Sequence, residues 1–316
     1  MKPKIAISIG DPNGIGPEIA LKAHKKISSI CTPFYFTGMD LLKEAARRLR
    51  LEVPKEIVLN PPFAAPSIEP GKVTAEAGAY SFASFKEAVD SVRSKKTEAV
   101  VTLPVNKEAW KLAGLAFKGH TEFLRELFQK DAIMVLGCSK LYVALFTEHI
   151  PLKDVPKAIQ KDKLVKFLLD LYKETAAKRI GVLGLNPHAG DHGVLGDEEK
   201  IIEEAIREAN GSLSEKGDFT IFEGPLVPDI AFTPRARESY SYLVAMYHDQ
   251  GLAPLKALYF DESINISLNL PIIRTSVDHG TAFDIAYTPE SEVSLKSYIE
   301  AVSTAAKLAL ERSKQW

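Results

Sequence analysis

Six of the seven histidines sit in short segments punctuated by glycine and proline. They fall in Gly119-His120-Thr121-Glu122, Thr147-Glu148-His149-Ile150-Pro151, Asn186-Pro187-His188-Ala189-Gly190-Asp191-His192-Gly193, Tyr247-His248-Asp249-Gln250-Gly251 and Val277-Asp278-His279-Gly280-Thr281. Only His24 lies in an ordinary amphipathic stretch. Imidazole is the usual neutral ligand of a divalent metal and the usual acid or base near pH 7. Loops at strand ends are where a rigid scaffold presents such groups. The pattern predicts a metal-assisted enzyme.

His149, His188 and His248 each follow a strand-like run. Three ligands from separate loops leave coordination positions open for substrate oxygens. Glu148, Asp191 and Asp249 are the nearest acceptors for the other ring nitrogens, and spacing alone does not choose among them. His120-Thr121 opens a helix expected over Glu122–Gln129, so Thr121 is either its N-cap or part of an anion site. Arg274 stands in the otherwise apolar Leu270–Ser276, where a guanidinium needs an anionic partner such as phosphate or carboxylate. Lys256 and Asn265 precede it in the last third of the chain. Gly10-Asp11-Pro12-Asn13-Gly14-Ile15-Gly16 reads as a tight strand-to-helix turn or as a loop facing a cleft; it is neither G-x-G-x-x-G nor a P-loop. Val277-Asp278-His279-Gly280-Thr281-Ala282 is a glycine turn with polar groups, followed by a helix-like run through Asp284 to Ala286.

The elements that must carry these groups alternate between strand and helix. Strands are expected over Lys4–Gly10, Cys31–Gly38, Glu98–Leu103, Arg179–Leu185 and Tyr242–Tyr247, with a hairpin from Ile133–Gly137 and Leu141–Thr147. Helices are expected from Pro17 and over Asp40–Leu49, Thr74–Lys95, Asp162–Lys178, Asp197–Asn210 and Ser294–Lys314. Asn60–Gly71 is proline-rich and reads as an irregular loop. Such alternation predicts an α/β protein with mostly parallel sheets, which bind ligands at strand C-terminal ends.

A chain of 316 residues suggests two domains, and no linker separates them, so a domain of two distant segments is expected. With 46% hydrophobic and 26% charged residues the composition is that of a soluble globular protein. A formal net charge of -1 gives no support for binding nucleic acid or a membrane surface. No signal peptide is visible, and no apolar run approaches the ~20 residues needed to span a bilayer. Cys31 and Cys138 read as buried free thiols, consistent with a reducing cytoplasm.

Together these segments resemble the 4-hydroxythreonine-4-phosphate dehydrogenase family of vitamin B6 biosynthesis, along the whole chain. The resemblance is carried by Gly10-Asp11-Pro12, Gly119-His120-Thr121-Glu122-Phe123, Leu185–Gly190, Met246–Leu252 and Arg274–Ala282. Asp278–Ala286 also resembles the cofactor loop of isopropylmalate and isocitrate dehydrogenases. The resemblance implies two α/β/α domains with the active site in the cleft between them. These are taken as residues 1-112 plus 262-316, bearing the cofactor loop, and 113-261, bearing the metal ligands and the dimer interface. It implies metal binding by His149, His188 and His248, and substrate contacts by His120, Thr121, Lys256, Asn265 and Arg274. It implies NAD or NADP held by Asp278, His279, Gly280, Thr281, Ala282 and Asp284. It implies a homodimer sharing its active sites, with His248 supplied by the partner subunit. Two departures stand out: Asn13 where the family often has Ala, and Asp191-His192 where it usually has Glu. The shorter carboxylate moves its oxygens by about one bond length, and His192 is a candidate alternative ligand.

The reaction so implied is oxidation of 4-phosphooxy-L-threonine at C3 to 2-amino-3-oxo-4-(phosphooxy)butanoate, which decarboxylates to 3-amino-2-oxopropyl phosphate. One divalent ion, zinc, magnesium or cobalt, and NAD or NADP would serve it. Lys256, His120 or a metal-bound hydroxide is the candidate general base. The nearest alternative keeps the chemistry and takes 4-phosphothreonate or 4-phosphoerythronate. A metal hydrolase would leave Arg274 and Asp278–Ala286 without a role, and a non-catalytic binding protein would have no use for the cofactor loop.

Overall fold

Lys4-Ile5-Ala6-Ile7-Ser8 is apolar on both faces, the mark of a strand covered on both sides, and it forms β1 (Lys4–Ser8), buried after its first residue. The computed structural model describes residues 2–55, 57–59, 64–214, 220–288 and 290–313. Part of the loop expected over Asn60–Gly71, and Lys314 of the last expected helix, lie outside the described residues.

After β1 come α1 (Gly16–Ile30), with Pro17 in its first turn, β2 (Thr32–Phe36), α2 (Met39–Leu49), β3 (Val58–Leu59), α3 (Ala75–Arg93) and β4 (Ala99–Thr102). Two helices that carry site residues come next, α4 (Lys107–Leu112) and α5 (His120–Phe128). The next segment holds β5 (Ile133–Cys138), β6 (Leu141–Leu145), α6 (Val155–Ala158), α7 (Lys161–Thr175), β7 (Ile180–Leu183), α8 (Glu198–Ser214) and β8 (Phe222–Leu226). It ends with α9 (Pro228–Ala231), α10 (Pro234–Arg237), β9 (Tyr242–Ala245) and α11 (His248–Tyr259). The chain then returns through β10 (Ile264–Leu268), β11 (Ile273–Val277) and α12 (Lys296–Ser313).

The chain divides into two compact units, one of Met1–Asp131 with Ile264–Trp316 and one of Ala132–Ser263. The first has strands in the order β3-β2-β1-β4-β11-β10, parallel except for the β10–β11 hairpin. The second runs β5-β6-β9-β7-β8, parallel except for the β5–β6 hairpin. This is the mixed α/β architecture with mostly parallel pairing that the alternation predicts. The boundary expected at 112/113 falls inside the first unit instead. Residues 113–131 stay with it because α5 is packed into an aromatic cluster. Phe123 meets Phe82, Phe85 and Phe117 at ring centroids 5.1–5.4 Å apart, and Phe82 and Phe85 also meet Trp110. Trp110 and Phe85 are fully buried, and such aromatic contacts dominate local packing energy.

The helix-like run after Ala282 is not a helix. Residues 278–287 form turns, because Thr281 accepts from Ile15 N–H at 3.1 Å and Tyr287 donates to the Pro12 carbonyl at 2.6 Å, pinning the segment at both ends. Both cysteines are buried free thiols. Among the described residues no helix is long and apolar enough to cross a membrane.

Candidate active site

In the first unit, the chemistry gathers where β4, β10 and β11 meet. Ser267 of β10 stands opposite Arg274 of β11, and Asn265 lies two residues away on the same face. Arg274 is only 3% exposed. Its guanidinium donates to Thr102 Oγ1 at 2.8 Å and Ser267 Oγ at 3.2 Å, while its Nε has no partner. No carboxylate is among these partners, and burial draws its pKa down to about 9. A buried cation held only by hydroxyls is a site prepared for an anion.

His120 adds to that site. It is the first residue of α5, not the residue before a Thr121 cap: Gly119 is the N-cap and makes no side-chain cap bond. Of the two readings of Thr121, the N-cap does not hold, because Gly119 occupies that position. His120 and Thr121 therefore lie in the first turn, whose N–H groups and dipole suit an anion. The His120 ring sits edge-on to Phe85 at 4.5 Å, with its Nε2 buried and unpaired. Burial, then the charges of Arg274 and Lys107, hold its pKa well below the ordinary imidazole value, so it is neutral at pH 7. Asn265 Oδ1 is also buried without a partner. Thr102, Ser267 and Lys107 were not singled out from the sequence; each is an ordinary residue type made significant only by the β4–β11–β10 pairing or the α4 turn.

The glycine-rich turn and the segment carrying Asp278, His279, Gly280, Thr281, Ala282 and Asp284 lie against each other. A Cβ on Gly14 would come within 2.8 Å of the Thr281 carbonyl, so only glycine allows the approach. Asn13 is buried and fully engaged: its Oδ1 accepts from Glu69 N–H, and its Nδ2 donates to the Lys72 carbonyl and Thr74 Oγ1. The departure from Ala thus ties down residues 69–74. Beside it, Asp11 is fully buried, and its Oδ2 has no partner. Burial raises its pKa to about 6 against the opposing N–H bonds of Asn13 and Asn106. Asp278 N–H donates to Ser297 Oγ, and Gly280 borders open space. Asp284 is exposed.

In the second unit, the metal candidates leave three neighbouring parallel strands, β6, β9 and β7. His149 and His248 approach to 5.3 Å between ring centroids. This pairing lies within one chain. His248 Nδ1 lies 2.6 Å from Asp249 Oδ1. That contact orients the ring and leaves Nε2 for a ligand, the usual carboxylate–histidine arrangement around a metal. His188 is not brought into a cluster of three: among the described residues no group of three His, Cys, Asp or Glu side chains is placed to hold an ion. It stands at the head of an unusual turn, in which residues 188–192 all have left-handed backbones (φ 54, 51, 77, 43 and 56). His192 lies in the same turn.

Glu199, buried at the start of α8, holds that turn's entry. Its Oε1 accepts from the N–H groups of Leu185 and Asn186 at 2.8 and 2.7 Å, and its Oε2 from Asn186 Nδ2 at 2.9 Å. Burial alone would push its carboxyl up, but these bonds hold it below the usual range. Lys256 lies on α11, about two turns after His248, with its Nζ 5.8 Å from the Phe260 ring centroid.

Two facing imidazoles, with a third on an adjacent strand end, are the ligand chemistry a divalent ion takes, and this chain by itself does not bring the three together. At Gly280 a Cβ would meet nothing within 4 Å, so the backbone there is open to a ligand.

The family model described as "Pyridoxal phosphate biosynthetic protein PdxA" matches residues 29–305. A Sulfurimonas denitrificans protein named 4-hydroxythreonine-4-phosphate dehydrogenase is 55% identical over 97% of this chain and 98% of its own length. One of the same name from Campylobacter fetus subsp. fetus is 52% identical over 97% and 98%. A crystal structure described as a 4-hydroxythreonine-4-phosphate dehydrogenase from Burkholderia phymatum superposes with TM-score 0.79, at 33% identity, covering 98% of each chain.

Proposed function

The chain belongs to the PdxA family, and from that premise we propose that it is an NAD(P)- and divalent-metal-dependent 4-hydroxythreonine-4-phosphate dehydrogenase serving pyridoxal 5'-phosphate biosynthesis. It oxidises 4-phosphooxy-L-threonine at C3 to 2-amino-3-oxo-4-(phosphooxy)butanoate, which then loses carbon dioxide to give 3-amino-2-oxopropyl phosphate. The observation that carries this reading is Arg274: a buried guanidinium with hydroxyl partners only, beside the unpaired Nε2 of His120. A phosphorylated or carboxylated substrate is the partner such a group lacks.

A divalent ion, zinc, magnesium or cobalt, when bound by His149, His188 and His248, supplies the charge that makes loss of the C3 hydroxyl proton easier. Asp278, His279, Gly280, Thr281, Ala282 and Asp284 would hold the nicotinamide cofactor, which would supply the hydride acceptor. The chain's own residues do the rest. Arg274, Thr121 and the first turn of α5 grip the anionic end, far from the reacting carbon, and so supply energy for positioning. His120, held neutral, donates or accepts one hydrogen bond without competing for the charge. Asn265 Oδ1 accepts from a substrate N–H or O–H. Lys256 is our choice for the group that takes the hydroxyl proton. The enzyme works in the cytoplasm as a homodimer that shares its active sites. Ile150, Leu152, Val194 and Leu195, exposed beside the His149 and His192 turns, support a covered face there.

The test is NAD(P)H formation with 4-phosphooxy-L-threonine, 4-phosphothreonate and 4-phosphoerythronate side by side, with and without chelator. Chelator-sensitive turnover preferring the first is expected. Preference for either other acid would reassign the substrate, and turnover indifferent to chelator would remove the metal.

A further inference from the structure

The segment that carries the proposed cofactor residues is clamped at two carbonyls around one strained residue. Ala282 has a left-handed backbone, φ 45, which an L residue keeps only where its surroundings over-determine it. On one side of it the Thr281 carbonyl accepts from Ile15 N–H at 3.1 Å. On the other the Phe283 carbonyl lies against Gly71, where a Cβ would come within 2.7 Å of it. Gly71 is itself left-handed, φ 70, so both its backbone and its neighbour call for glycine.

Asn13 joins the two clamps. It stands two residues before Ile15 and holds the Gly71 turn at four points. Its carbonyl accepts from Gly71 N–H at 2.9 Å and its Oδ1 from Glu69 N–H at 2.8 Å. Its Nδ2 donates to the Lys72 carbonyl at 2.9 Å and to Thr74 Oγ1 at 3.3 Å. The backbone bond survives a change of side chain. The other three need an acceptor and a donor on one short side chain, which an amide has and Ala lacks. A chain with Ala at this place must hold the turn by other bonds.

We infer that Asn13 is a positioning residue for cofactor binding: through the turn at residues 69–72 it sets where Thr281, Ala282 and Phe283 stand. The inference rests on the cofactor reading above, and every residue it uses lies in the first unit. Where the segment leaves its strained form, only the fraction still in place takes the cofactor, and the apparent Kd rises by the inverse of that fraction. Three lost hydrogen bonds are enough to shift such an equilibrium at least about tenfold.

The experiment is titration with NADH and with NADPH, read by nucleotide fluorescence, for wild type, Asn13→Ala and Gly71→Ala, with melting curves of each unliganded form and KM for both substrates. Well below its melting temperature, Asn13→Ala should bind the preferred nucleotide at least about tenfold more weakly. KM for the nicotinamide should rise in the same measure. KM for the phosphorylated substrate should stay that of wild type, because its anionic end is gripped elsewhere, at Arg274 and the first turn of α5. Wild-type nucleotide affinity in Asn13→Ala would overturn this inference alone. So would an equal rise in both KM values, which marks a general loosening of the fold. No fluorescence change with either nucleotide in wild type would overturn the cofactor reading, and this inference with it. If Asn13→Ala does not fold, Gly71→Ala decides, since its Cβ drives the same turn against the Phe283 carbonyl: weaker nucleotide binding upholds the inference and wild-type affinity overturns it.

Discussion

Arg274 shows how a buried charge can signal function by what it lacks. The sequence exposed the anomaly, a guanidinium in an apolar run, but not its hydroxyl partners, because Thr102 lies far away in the chain and meets it only through strand pairing. Replacing Arg274 with Met removes an uncompensated buried cation, so the melting temperature should hold or rise. KM for the phosphorylated substrate should rise by at least about 100-fold, the loss of one or two charged hydrogen bonds; steady-state kinetics alongside calorimetry checks both. Asp11 makes a complementary prediction in pH. Its folded pKa of about 6 lies above the ordinary 3.8, so its contribution to stability is fully present below about pH 3.8 and is lost as pH rises through 6. Asp11→Asn keeps an acceptor for the two N–H groups and avoids ionisation. Denaturant titrations should therefore find the variant gaining on wild type from pH 4 to pH 8, by up to roughly 3 kcal/mol. His188→Ala should abolish metal-dependent turnover while the circular dichroism spectrum and the oligomeric state stay those of wild type.

At the scale of the element, the strands that carry chemistry were legible because they are apolar runs stopped by glycine, proline or histidine. β7 and β9 fall within the expected spans, and the β5–β6 hairpin forms where two short apolar runs lie close together. The segments that leave these strands were not legible. α11, which starts at His248, carries Pro254 inside it, a residue that argues against helix in any local reading. The left-handed turn at 188–192 contains one glycine and four residues with side chains, and left-handed backbone costs such residues about 1–2 kcal/mol each. It persists because Glu199, remote until α8 folds back, holds its entry. Asp191 is exposed and has φ 43, so Asp191→Gly should stabilise the protein by about 1 kcal/mol. Thermal denaturation reads this directly, and a fall in melting temperature would show that the Asp191 side chain itself holds the turn.

At the scale of the molecule, the first unit is assembled from two ends of the chain. Its alternating pattern gave the α/β class, and the absence of a linker pointed to a discontinuous domain. The boundary was misplaced because nothing in residues 113–131 advertises that Phe117 and Phe123 pack against Phe82. The interior strand β11 and the covering helix α12 both arrive with the last segment. A fragment ending at Asp131 therefore lacks one of the two strands that flank β4, together with the covering helix α12, and should stay unfolded, as read by circular dichroism and sedimentation.

Arg274 reaches its place only with that returning segment. A nascent polypeptide leaving the ribosome has all three imidazoles of the metal reading outside the tunnel well before it has a guanidinium to grip a phosphate. Premature termination anywhere before β11 thus yields a product without the buried guanidinium on which the proposed phosphate grip depends.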